Sequence, residues 1–161
     1  MTRRALLLVP VAQAFLPVSA FLPVLLRPLR ADSADDAWEL VASAARALVE
    51  ATALPPPSRG NASAFLSFFD PKMPGYETLR TNVTALIEQS DLESTLDPVS
   101  NDGDDRTRTL EVDWELRMMD PGTSVVSARR QERIKCRVEK QGRKWRIVSL
   151  EPLSFFAPPH A

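Results

Sequence analysis

Hydrophobic positions follow three regimes along this chain. They are nearly continuous from Ala5 to Leu26, recur at helical spacing from about Ser33 to Glu88, and alternate from Asp91 onward. In the helical regime, Trp38, Val41, Ala42, Ala45, Leu48 and Val49 share one face of a predicted helix. That helix begins near Ser33 or Asp35, with acids in its first turn to suit the helix dipole. It ends before Leu54-Pro55-Pro56-Pro57, because a proline run lacks the amide donors a helix needs. Asn61 is the predicted cap of a second, short helix through Phe69 that carries Phe65, Leu66, Phe68 and Phe69. Asp70-Pro71-Lys72-Met73-Pro74-Gly75 breaks it. A third helix is predicted from Tyr76 to Glu88, with Leu79, Val83, Leu86 and Ile87 along its buried stripe.

The alternating regime predicts four strands. The first runs from Asp91 to about Val99, with Leu92 and Leu96 as its markers, and turns at Asn101-Asp102-Gly103-Asp104. The second sends Leu110, Val112, Trp114, Leu116 and Met118 to one face and Thr109, Glu111, Asp113, Glu115 and Arg117 to the other. Asp120-Pro121-Gly122-Thr123 is the next reversal. The third strand spans about Ser124–Glu139 and turns at Gln141-Gly142-Arg143. The fourth, from Lys144 to about Leu153, is apolar on both faces, which predicts a place inside the sheet or under a second surface. Three helices followed by a four-stranded antiparallel meander make an α+β architecture.

The continuous apolar run has a different origin. The first thirty residues contain no acid: Thr2-Arg3-Arg4 precedes Ala5–Leu26, and Arg27 and Arg30 follow it. This is the composition of an export signal. The run is long enough to span a bilayer. However, Pro10, Pro17 and Pro23 interrupt it, and Ala14-Phe15-Leu16-Pro17-Val18 repeats as Ala20-Phe21-Leu22-Pro23-Val24. A transient signal tolerates such kinks better than a packed span does. Val18-Ser19-Ala20 is the better cleavage site and Leu29-Arg30-Ala31 the poorer. The expectation is a periplasmic or secreted protein, with an inner-membrane anchor through residues 5–26 as the alternative. Residues 31–36 are read as a linker, 37–156 as one domain and 157–161 as a tail.

Export changes the charge. The whole chain has 20 basic and 21 acidic residues; without the first thirty, which hold four arginines, the count is 16 against 21. A domain five charges negative is a poor nucleic-acid binder. Cys136 is the single cysteine, so no intramolecular disulfide forms, and its place on the apolar side of a strand reads as a small buried hydrophobe. His160 is the single histidine and stands in a Pro-Pro-His-Ala tail, so no histidine-rich metal site is expected. No cofactor is expected either. Asn61-Ala62-Ser63 and Asn82-Val83-Thr84 match the glycosylation sequon, a match that chance explains.

Chemistry has few places to reside. Arg130 and Glu132 interrupt the apolar parity of the third strand between Val126-Ala128 and Ile134-Cys136-Val138. If alternation holds, both point toward the core, where an arginine could anchor an anionic ligand beside a carboxylate base. A bulge or an overhanging, solvated strand end is the alternative. Asp70 and Tyr76 flank the Pro/Gly-rich break and could stand at a pocket mouth, although Asp70 also suits a turn. Trp114 reads as core, with ligand stacking as its alternative. On the other face, the acidic row Glu111, Asp113 and Glu115 lies beside the basic row Arg129, Gln131, Arg133, Lys135 and Arg137, an arrangement for cross-strand ion pairs.

The order of elements resembles the nuclear-transport-factor-2-like superfamily, which includes SnoaL-like polyketide cyclases and ketosteroid isomerases. The residues that carry the resemblance are Ala37-Trp38-Glu39-Leu40, the aromatic segment Phe65–Phe69 closing on Asp70-Pro71, the helix from Tyr76, and above all the last hairpin. There Arg137-Val138-Glu139-Lys140 leads through a basic turn to Lys144-Trp145-Arg146-Ile147-Val148-Ser149-Leu150. The resemblance covers about residues 34–156. It implies a curved sheet closed by helices into a cone, a conical pocket, and often a homodimer through the outer face of the sheet. The superfamily's enzymes use a pocket carboxylate, often with a histidine, tyrosine or second acid. This domain has one tyrosine and no histidine, so no catalytic set carries across. The expected function is therefore a non-enzymatic exported domain that binds a small apolar or anionic ligand or a protein partner. The alternative is a SnoaL-like lyase or isomerase for a small carbonyl compound, with Glu132 or Asp70 as base. Arg130, Glu132, Tyr76 and Trp114 are the candidate ligand-binding residues.

Overall fold

The computed structural model describes residues 33–55 and 59–159. Ala5–Leu26, the cleavage sites and His160 lie outside them. Helix α1 (Ser33–Ala53) is followed by a single turn, α2 (Ser63–Leu66), and by α3 (Tyr76–Gln89). Strands β1 (Asp91–Gly103), β2 (Thr107–Met119), β3 (Val126–Gln141) and β4 (Lys144–Glu151) form one antiparallel sheet in the order β1-β2-β3-β4. A 3-10 turn, Leu153–Phe156, ends the domain.

The predicted α+β arrangement of three helices on a four-stranded antiparallel sheet is the one observed. β2 sets the core: Leu110, Val112, Trp114, Leu116 and Met118 are all buried on one face. The neighbouring register carries that face onto β3, with Leu110 opposite Cys136 and Val112 opposite Ile134. Over this face lie Val41, Leu48, Phe65, Leu79, Val83 and Leu86 from the helices. α1 packs chiefly on the two edge strands, β1 and β4, and only slightly on β2. A helix can meet both edges of a four-stranded sheet in this way only where the sheet curls toward it. Three irregularities let it bend, each inserting one residue: Val99 in β1, Ser127 in β3 and Val148 in β4.

The bulge at Val148 corrects the reading of β4. It is an edge strand, not an interior one. Trp145 and Ile147 point inward; the bulge then resets the alternation, so that Leu150 is buried too while Val148 and Ser149 are partly exposed. Apolar residues on both parities here record a change of phase, not two covered faces. The outer edge of β4 is capped by the α2–α3 segment, where Ile147 N–H donates to the Phe68 carbonyl and Asp70 N–H to the Ile147 carbonyl, both at 2.9 Å.

Other boundaries move for local reasons. Residues 33–36, read as linker, belong to α1. Its start is tied to the sheet by Asn101, whose amide donates to the Ala34 carbonyl at 2.8 Å. The predicted second helix to Phe69 is only one turn long, because Phe69 leaves it to bridge Ile147. The first hairpin turns at Asp104, not at Asn101. The Asp104 carboxylate accepts the Arg106 and Thr107 amides at 2.7 and 2.9 Å, and Asn101–Gly103 remain in β1.

Two hairpin glycines provide a test of backbone geometry. Gly103 and Gly142 both have positive φ, of 141° and 65°. A Cβ on Gly103 would collide with the Thr107 carbonyl and the Arg108 backbone, whereas one on Gly142 meets nothing within 4 Å. Gly142→Ala should therefore cost about 1–2 kcal/mol, the penalty of a left-handed alanine. Gly103→Ala should cost clearly more, both measured by urea unfolding.

Candidate functional site

The hollow of the bent sheet is occupied by the chain's own C-terminal segment. Beyond β4 the 3-10 turn folds back and inserts Phe155 and Phe156, both fully buried. Their rings lie 5.7 and 5.3 Å from that of Trp114, and 5.1 Å from each other. Phe156 also meets Phe65 at 5.6 Å, which in turn meets Phe69 at 4.8 Å. Trp114 is thus a core residue, 1 % exposed, and its indole N–H donates to the Ser94 hydroxyl at 2.9 Å.

Arg130 fixes this insertion. Register places it opposite Leu116, on the inner face as alternation predicts. Its guanidinium donates to the carbonyls of Phe155 at 2.9 Å, Ala157, and Pro158 at 3.4 Å. Ala157 and Pro158, at the start of the segment read as the tail, are thus bonded to β3 through Arg130. Glu132 shares the face of Arg130, opposite Trp114, but stands exposed, and none of the ion pairs among the described residues joins the two. Structure thus separates a pair that sequence parity had placed together: the arginine turns under the C-terminal segment and the glutamate faces solvent.

Tyr76 lines a cleft between α2 and the β3–β4 hairpin, and Asp70, which is not in the lining, is bonded to the lining residue Gln141. This cleft has a volume of about 420 Å³, and its lining includes Tyr76, Gln141 and Arg146. The Asp70 carboxylate accepts the Lys72 amide at 2.8 Å and the Gln141 side-chain amide at 2.6 Å. These donors hold its carboxyl below the usual carboxylate range, the Lys72 amide most of all. A larger cleft of about 520 Å³ opens on the other side of Arg146, between α1 and β4. Leu40, Phe68 and Trp145 form its apolar lining, with Asp36 and Glu39 on the helix side and Arg143, Lys144 and Arg146 on the strand side. A third, of about 510 Å³, follows the seam of α1 with β1.

The outer face of the sheet is a lattice of ion pairs: Arg117 with Glu93 at 2.7 Å, Arg129 with Glu115 at 2.6 Å and Arg133 with Asp113 at 2.9 Å. The acidic and basic rows of β2 and β3 thus pair across the strands.

Known structures share this design. A nuclear transport factor 2-like superfamily protein from Salmonella enterica serovar Typhimurium matches with a TM-score of 0.55 at 15% identity, over 73% of this chain and 87% of its own. A protein of unknown function with a cystatin-like fold from Nostoc punctiforme matches with a TM-score of 0.51 at 16% identity, over 71% and 85% of the two chains. A nuclear transport factor 2-like protein of unknown function from Shewanella oneidensis gives 0.50 at 12% identity, over 72% and 94%. This chain has the nuclear-transport-factor-2-like fold. No protein-family model matches the sequence, and no curated protein matches it at a significant level.

Within that cone fold, the arrangement offers an occupied interior and a polar exterior. Among the described residues, no group of three or more His, Cys, Asp or Glu side chains could hold a metal ion. Cys136 is buried, and burial pushes its thiol up to about 12. Val83, at the centre of the second sequon, is buried within α3, while Asn61 of the first accepts the Ser63 amide through its side chain at 2.9 Å. The residues that sequence reasoning missed are Phe155 and Phe156. Their signal was present as a pair of adjacent aromatics just past the last strand, in a segment too short to show any periodicity.

Two outcomes follow from this geometry. In the native protein, Cys136 should resist a thiol reagent such as dithionitrobenzoate and react fully once urea unfolds the chain. Because the folded Asp70 pKa is depressed, its contribution to stability is complete above the unfolded carboxylate pKa and is lost as pH falls through the folded value. Asp70→Asn should accordingly melt below the wild type near neutral pH, and the gap should close in acid, as thermal melts across pH will show.

Proposed function

We propose that this chain is an exported, non-catalytic interaction domain that engages a protein partner through its outer surface. The observation that carries this reading is the filled cone. Phe155 and Phe156 occupy the hollow against Trp114 and Phe65, and Arg130, the charge nearest it, is already bonded to the C-terminal carbonyls. Burying two phenylalanines is worth about 1.5–3 kcal/mol each, and a ligand entering the hollow would have to displace both. Of the two candidate bases, Glu132 is exposed at the β3 position opposite Trp114, and Asp70 stands outside the hollow with its charge held by amide donors. A lyase or isomerase acting inside the cone would need a base where this domain has aromatic rings. Export is supported by the acid-free start of the chain, with its arginines and its proline-broken apolar run.

Two measurements test the reading. The fluorescent probe anilinonaphthalene sulfonate should not bind the native protein, whereas Phe155→Ala/Phe156→Ala should open the hollow and bind it; strong binding by the wild type would overturn the filled-cone argument. In cells, a chain beginning at Phe21 or Asp32 by mass spectrometry supports a cleaved export signal, and retention of Met1 in the membrane fraction refutes it.

A further inference from the structure

The two edges of the sheet end differently. The β4 edge is closed by the backbone bonds of Phe68 and Asp70 with Ile147. On the β1 edge, the Leu92 amide donates to the Thr52 hydroxyl of α1 at 3.3 Å, so it points away from β2. Backbone groups of an antiparallel strand point to alternate sides, so those of Ser94 and Leu96 share that outward direction. Pro98 falls on the same parity, where an edge strand tolerates a residue without an amide. Among the described residues, no other segment bonds the backbone of Ser94 or Leu96. Both residues also line the cleft of about 510 Å³ between α1 and β1, which therefore lies beside this open edge.

The α1 wall of the cleft is small and apolar, formed by Ala42, Ala45 and Val49, and Leu96 lines it from β1. Its charges do not cancel. Arg46 is paired with Glu39 and Glu93 with Arg117, so Glu50 is the lining charge that no ion pair among the described residues meets. On the outer face, the lattice of ion pairs stops short at the same edge. Asp97 stands opposite Asp113 of β2, whose charge Arg133 of β3 already meets, and Asp97 has no ion pair of its own among the described residues. Like charges face to face destabilise a ladder, and the side of Asp97 open to a cation is the one beyond β1. A second copy of this strand would bring another Glu93 and Asp97 to the edge and add to the repulsion.

We propose that the β1 edge takes up, as a fifth strand, an extended segment of a partner protein that alternates apolar and basic residues. Its backbone bonds to Ser94 and Leu96 at the ladder spacing of about 4.8 Å. Its apolar side chains enter the cleft against Ala42, Val49 and Leu96, and a lysine or arginine beside Asp97 extends the charge lattice by one strand. Pro98 ends the pairing, because it offers no amide. Main-chain bonds supply the affinity, while the cleft and the charge supply the selectivity. The proposal rests on the reading of the domain as an interaction module and names the chemistry of its partner.

The test uses a short fluorescein-labelled peptide of alternating lysine and valine, beside its glutamate–valine counterpart. The basic peptide should raise fluorescence polarisation, lose affinity with added salt, and slow hydrogen exchange at the Ser94 and Leu96 amides while those of β4 keep their rates. Asp97→Lys should weaken binding about tenfold or more, and Ala42→Phe, which fills the cleft, should abolish the slowing. Glu88→Lys, the same charge change on α3, should leave binding unchanged. Equal binding of the acidic peptide, unaltered exchange at Ser94 and Leu96, or indifference to Asp97→Lys would overturn the proposal. Slowing of those two amides that grows with protein concentration and needs no peptide would overturn it in favour of a second copy. If a variant fails to fold, the comparison of the two peptides on the wild type decides. A native cone that excludes anilinonaphthalene sulfonate, combined with no binding of the basic peptide, removes this proposal and leaves the interaction domain. Binding of that dye inside the wild-type cone removes the broader reading.

Discussion

A sheet bent until one helix meets both of its edges encloses a hollow, and a hollow lined by Trp114, Leu116, Phe65 and Phe69 must be filled. An unfilled apolar cavity forfeits dispersion contacts on every wall, at about 24 cal/mol for each Å³ left empty. This chain meets the constraint with its own C-terminal segment, as Phe155 and Phe156 complete the aromatic cluster. The solution raises a second problem, because a turn entering the core brings backbone carbonyls with it. Arg130 solves that one by giving its guanidinium protons to the carbonyls of Phe155, Ala157 and Pro158. An arginine at an inward position of β3, anomalous as a sequence feature, is the polar complement of an apolar plug.

Filling the hollow moves the available chemistry outward. Along the seams where α1 meets β1 and β4 the surface is grooved, and the groove at β4 sets Asp36 and Glu39 across from Arg143, Lys144 and Arg146. The outer face of the sheet differs, since its acidic and basic rows neutralise each other across β1, β2 and β3. Exposed pairs of this kind add little stability individually.

How far each element is legible in the sequence depends on the physics behind it. β2 was fully legible: its strict alternation survives because one face is buried by helices and the other faces water. β4 was misread because a single inserted residue, Val148, shifts the phase of alternation, and no local composition announces a bulge. The second helix ended early because Phe69 gains a bridge to Ile147, a partner far along the chain. Of the site residues, the inward parity of Arg130 was legible and its partners were not. Glu132 obeys the same parity yet stands exposed, while Arg130, two residues nearer the end of the strand, is half-buried under the C-terminal segment.

By itself, the sequence determined what depends on neighbours within a few residues: the helical and alternating periods, the turns punctuated by Asp, Pro and Gly, the inward row of β2, and the charge balance of the domain. Register and the α+β order follow from those periods, because apolar faces have to meet. Tertiary structure alone decided what depends on contacts between distant segments. It placed β4 at an edge, brought Phe155 and Phe156 back beneath Trp114, and gave Arg130 its carbonyls. Such contacts are set by the filling of a closed volume, a property of the whole fold that no local pattern encodes.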